Sequence, residues 1–174
     1  LPDDPDAPFP TEAARRLFDA IDDGDEGRVE AALRDGASVD SLTEDGLTAL
    51  MCAIRRGGRT RIAKLLLARG ADVHRQHPTG ARAVHAAAQV GDAELVAALA
   101  EAGANVATPN NNGATPAFVA AQEGHVEVVR LLAELGANVE TPNNNGATPA
   151  YIAAQNGHLE VVRLLAELGA DVET

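Results

Sequence analysis

The side chains able to carry chemistry in this chain are few: one Cys, five His and a scatter of carboxylates. Cys52 stands where the matching positions downstream hold Val119 and Ile152, so it reads as a small buried hydrophobe rather than a nucleophile. No His and acid fall at a spacing that would activate it. His74 and His77, three apart, form at most half of a metal site, and two further ligands are lacking nearby. His125 and His158 have no Cys or converging carboxylate beside them. There is no phosphate-cradling Gly-rich loop, no G-x-S-x-G elbow and no kinase signature. The expectation is a segment without catalytic residues, metal or cofactor.

Such a chain acts through its surface, and composition says of what kind. Hydrophobic residues make up 45% of the 174, yet aromatics only 2%. Ala, Leu and Val must fill the interior, which calls for thin, closely spaced helices. The net charge of -12 argues against a general binder of nucleic acid or anionic membranes. No apolar run approaches the ~20 residues that span a bilayer, and no signal-peptide pattern opens the chain. A single Cys excludes an intramolecular disulfide framework and fits a reducing, intracellular setting, with the cytoplasm expected. The start at Leu1 reads as that of a fragment or a processed product.

The elements that position this surface come from an internal repeat. Residues 108–140 and 141–173 agree at 28 of 33 positions. The same frame runs upstream more loosely, with Gly-Ala at Gly36, Gly70, Gly103, Gly136 and Gly169. Within a unit, Thr115-Pro116 supplies a cap and a proline at the first helical position, and Gly124 ends the short helix. Val126, Val128, Val129, Leu131, Leu132 and Leu135 then make a second helix, apolar over more than one face, that needs neighbours on both sides. Asn138 to Gly146 has the Pro and Asn of a turn-terminated hairpin. The fold class expected is an all-α repeat solenoid of helix–turn–helix–hairpin units stacked in register. Residues 1–11 are expected to be an irregular extension, followed by one domain of five units at about 12–40, 41–74, 75–107, 108–140 and 141–174. The last helix keeps its apolar residues where a terminal unit should turn polar, so the C-terminus is expected to be truncated, with more repeats beyond it or with fraying or association there.

These motifs resemble the ankyrin repeat family. Its T-P-L-H start is matched by Thr115-Pro116-Ala117-Phe118 and Thr148-Pro149-Ala150-Tyr151, and loosely by Thr48-Ala49-Leu50-Met51. Its G-H-x-E-V-V-x-L-L is Gly124 to Leu132 and again Gly157 to Leu165; its G-A-D-V close is Gly70 to Val73 and Gly169 to Val172. The resemblance gives His125 and His158 a capping and bridging role toward the neighbouring unit. Only His85 keeps the family's histidine at the helix start, where Met51, Phe118 and Tyr151 stand elsewhere. The third unit has Arg82 in place of the capping Thr and no Pro, so its first helix is expected to have the least stable start. The Asn that is hydroxylated in some family members is absent, since the matching positions hold Asp40, His74, Ala107, Glu140 and Glu173.

Stacked hairpin tips and first helices form a concave ledge, and positions there that do not serve the repeat are free to meet a partner. In the second unit these are Glu44, Asp45, Leu47, Arg55 and Arg56; in the third, Pro78, Thr79, Ala81, Gln89 and Val90. The fourth offers Asn111, Asn112, Ala114, Gln122 and Glu123, the fifth Asn144, Asn145, Ala147, Gln155 and Asn156. Phe118 and Tyr151 read either as exposed anchors on this ledge or as packing between repeats. Charge is banded: residues 55–82 hold eight bases against Asp72 alone, between acidic stretches. The band reads as a solvated face, or as a seat where Arg55 and Arg56 meet an acidic segment of a protein.

The resemblance implies a non-enzymatic protein–protein interaction scaffold binding on its concave surface, as a monomer or associating through the uncapped last repeat. The alternative is a targeting or regulatory segment of a longer enzyme or membrane protein whose activity lies elsewhere. A structural spacer without a partner is the third reading.

Overall fold

Thr at the start and Gly at the end of short apolar runs produce paired helices. The computed structural model, which describes residues 11–57 and 59–172, contains five pairs. They are α1 (Glu12–Asp23) with α2 (Glu26–Arg34), α3 (Ala49–Arg55) with α4 (Thr60–Ala68), and α5 (Ala83–Val90) with α6 (Ala93–Glu101). The last two are α7 (Pro116–Glu123) with α8 (Val126–Glu134), and α9 (Pro149–Gln155) with α10 (Leu159–Glu167). Most of the expected extension, together with Glu173, lies outside the described residues.

The first helices start on hydroxyl caps: Thr48, Thr115 and Thr148 Oγ1 accept from the backbone N–H of Met51, Phe118 and Tyr151 at 3.1, 3.2 and 3.1 Å. Thr11, assigned to the extension on sequence, does the same for α1 through Ala14 N–H at 3.2 Å. At α5, Arg82 has no acceptor to offer. His85 takes over part of the work: its Nδ1 accepts from Arg82 N–H at 3.1 Å, and its own N–H closes onto Arg82 O at 2.9 Å. The Arg82 side chain instead reaches His74 O at 3.1 Å and Thr108 Oγ1, tying the hairpin arms of two units together.

Besides the contact within each pair, the main packing among the described residues runs from unit to unit, α1 to α3, α5, α7 and α9 in one row and α2 to α4, α6, α8 and α10 in the other. The repeat register explains why the composition is rich in Ala. Ala20, Ala53, Ala87, Ala120 and Ala153 are all fully buried, one per first helix, where a larger side chain would hold the rows apart. Leu66, Leu99, Leu132 and Leu165 do the filling from the second row, each fully buried. Leu135 falls just past α8 and is 41% exposed, so it is not part of that apolar face.

The expected hairpins are tight tips rather than ladders. No regular strand forms among the described residues, only an isolated bridge between Leu42 and Thr48. Each tip closes with two backbone bonds, as in Asn110 N–H to Ala114 O at 3.0 Å and Gly113 N–H to Asn110 O at 2.9 Å. Successive tips are also stitched to each other. Asn111 N–H donates to Thr79 O at 3.0 Å and its Nδ2 to Pro78 O at 2.9 Å; Asn144 repeats this on Asn112 O and Asn111 O, both at 2.9 Å. Asn-Asn-Asn-Gly, read as turn chemistry alone, therefore also bonds unit to unit.

Candidate functional site

The position that opens each second helix shows how the stack is locked. Asp25 and Asp92 cap their own helices there. Arg59, His125 and His158 forgo that bond and reach back to the preceding unit, donating to Asp22 O, Gln89 O and Gln122 O at 2.9, 2.9 and 3.0 Å. The bridging role that the resemblance implied for the two histidines is thus met by their Nε2–H groups, while each ring lies against the turn glycine of the unit before, Gly91 and Gly124.

With the units locked, tips and first helices enclose a groove of ≈ 770 Å³ along the concave side. Of the residues expected on the ledge, Leu47, Arg55, Thr79, Ala81, Gln89, Asn112, Ala114, Phe118, Gln122, Glu123, Asn144 and Asn145 line it. A recess of ≈ 550 Å³ around Tyr151 adds Ala147 and Gln155. Met51, His77, Arg82, His85, Ala86, Asn110, Val119 and Asn143 also line the groove and were not assigned to the ledge on sequence. Met51 and His85 share the repeat offset of Phe118 and Tyr151, which is the signal that would have found them; the other six sit at offsets read as serving the repeat.

Glu44, Asp45, Arg56, Pro78, Val90, Asn111 and Asn156 line neither space. Arg56 is turned toward the preceding unit, where it pairs with Asp22 at 2.8 Å. Asn156 donates through Nδ2 to Gln122 O at 2.9 Å. The two aromatics part company: Phe118 is 4% exposed and packs between units, so it is no exposed anchor, whereas Tyr151 is 52% exposed. The difference is the next helix pair, which covers Phe118. The same position effect leaves Leu159 on the outer face of the last pair 70% exposed, while its counterpart Val126 is partly buried.

The basic band largely dissolves into stacking bonds. Besides Arg56, Arg59 and Arg82, Arg69 pairs with Glu30 at 2.7 Å and Lys64 with Glu94. Arg55 is the member of the band that faces the groove with no ion pair or hydrogen bond among the described residues. Its charge is felt at Asp45, whose carboxyl is held below the usual range first by the Thr43 hydroxyl and its own backbone N–H, and further by His77 and Arg55.

Two buried groups are chemically quiet. Burial pushes the half-buried Cys52 thiol up to about 11, helped by the Asp22 and Asp45 carboxylates, so at neutral pH it is a protonated, unreactive thiol. His85, 4% exposed, is pushed down to about 4 by burial and by the Arg82 charge. Since its Nδ1 accepts from Arg82 N–H, the proton sits on Nε2, which donates across to Ala114 O at 3.3 Å in the next unit. His77 is engaged with Thr79 Oγ1 at 2.8 Å, and no cluster of three or more His, Cys, Asp or Glu suited to a metal occurs among the described residues.

A comparison with curated proteins finds no match for the chain. The family model for ankyrin repeats, in its three-copy form, matches residues 17–110 and again residues 84–174. Two matches that together run nearly end to end, over five helix pairs joined by tight tips, agree with the geometry: the chain belongs to the ankyrin repeat family.

Proposed function

We propose that the chain is a non-enzymatic interaction module whose concave groove binds a protein partner in the cytoplasm. Repeats of this family are in general protein–protein interaction modules, and proteins built from them are typically non-enzymatic adaptors. The observation that carries the reading is the set of polar side chains in the groove that stacking leaves unused. Arg56, Asn111 and Asn156 off the groove, and Arg82, His85 and Asn144 on it, are tied to neighbouring units. Within the groove, Arg55, Gln89, Asn112, Gln122, Glu123 and Asn145 bond no neighbouring unit through their side chains and remain open to a partner. The acidic balance disfavours nucleic acid, and no helix among the described residues is long and apolar enough to cross a membrane.

The reading is tested by affinity recovery with the full chain as bait. Gln89→Arg with Asn112→Arg places bulk and charge in the groove at two exposed positions whose side chains make no stacking bond. Recovery of specific partners is expected to fall at least about tenfold with this variant. Glu127→Lys with Glu134→Lys, on exposed positions of α8, is expected to leave it unchanged. The reverse result would move the binding face off the groove.

A further inference from the structure

The groove is almost devoid of free charge, and the two ionic groups it does expose stand at separated points. Arg55 ends α3 in the second unit; Glu123 ends α7 in the fourth, with only the Gln122 amide on its carboxylate at 3.0 Å. Gln89 and Gln122 occupy the repeat position of Arg55 in the third and fourth units, so one wall presents a cation followed by two amides. Asn112 adds an amide from the opposite wall of tips, and Met51 lies beneath as apolar floor. An amide side chain both donates and accepts, which is what the backbone of an extended segment needs from its surroundings.

From this charge layout we infer that the groove takes an extended, otherwise uncharged segment of a protein, with a carboxylate opposite Arg55 and a cation opposite Glu123. The inference rests on the groove being the binding face. Spacing comes from elementary geometry. Packed helices lie roughly 8–10 Å apart, and an extended chain advances about 3.3 Å per residue, so each unit spans about three residues of ligand. Arg55 and Glu123 are two units apart and therefore read groups about six positions apart. The ligand is bound in one direction only, because reversing it sets like charges against each other at both ends.

The probe is a displayed library of random dodecapeptides selected on the full chain. Wild type is expected to enrich an acidic and a basic residue about six positions apart, always in the same order. Arg55→Glu with Glu123→Lys is expected to enrich the opposite order. Arg55→Glu alone is expected to weaken a synthetic wild-type-selected peptide at least about tenfold. Both side chains are exposed and make no bond to a neighbouring unit, so the variants keep the fold, as an unchanged unfolding midpoint verifies. Peptides lost on Gln89→Arg with Asn112→Arg but lacking the charge pair, or unchanged in order on the double reversal, overturn the inference and leave the groove as the binding face. Selected peptides that the Gln89 and Asn112 changes do not touch, or no selected peptides, overturn both.

Discussion

Gly113→Ala is expected to lower the unfolding free energy by about 3 kcal/mol, and Gly146→Ala by only about 1 kcal/mol. The two glycines share the sequence Asn-Asn-Asn-Gly-Ala-Thr-Pro and nearly the same φ, +76° and +81°. A side chain at either meets the same left-handed strain, roughly 1–2 kcal/mol. They differ in what lies against them. A Cβ at Gly113 would stand 2.7 Å from the backbone nitrogen of Asn144, whereas at Gly146 nothing lies within 4 Å. Relief at Gly113 requires the next tip to move off, which breaks Asn144 N–H to Asn112 O and Asn144 Nδ2 to Asn111 O. At roughly 1 kcal/mol each, these bonds supply the difference. Urea unfolding of the two variants checks it; equal costs would mean that the tips are not stitched.

Acid is expected to unfold the protein partly through His85. Its folded-state value near 4 lies below the ordinary 6.5, so between those limits the unfolded chain takes up a proton that the folded chain refuses. Stability is therefore complete above pH 6.5 and falls with pH across the window, by about 2 kcal/mol at pH 5 and about 3 kcal/mol at pH 4. His85→Gln isolates this contribution from the carboxylates. Gln at that helical position still accepts from Arg82 N–H in capping-box fashion but does not titrate. The wild type is expected to lose stability more steeply than the variant from pH 7 to 4.5. Parallel slopes would place the ring in water rather than between units.

The features legible in the sequence are those decided within one unit. Thr48, Thr115 and Thr148 cap helices because a short apolar helical run begins directly after each, and the ankyrin frame emerges from their spacing. The features that were not legible depend on the neighbouring unit. Arg55 and Arg56 are adjacent and chemically identical, yet one faces the groove and the other pairs with Asp22. In the repeat register Asp22 and Asp23 are the counterparts of Arg55 and Arg56, so an acidic pair one unit before a basic pair was the overlooked sign, although it does not tell which Arg turns back. Phe118 and Tyr151 likewise share a position and differ in burial because only one has a helix pair over it. Asn111 and Asn144 form a ladder that becomes visible when the repeats are aligned in space as well as in sequence.

If stacking ties up the inter-unit polar groups and the concave groove is left for a protein partner, amide exchange of the full chain with and without a recovered partner will show it. New protection is expected at the tips 43–47, 77–81 and 110–114 and at the ends of α3, α5 and α7 around Arg55, Gln89 and Gln122. Protection confined to α4, α6 and α8, with the tips and first helices unchanged, would contradict it.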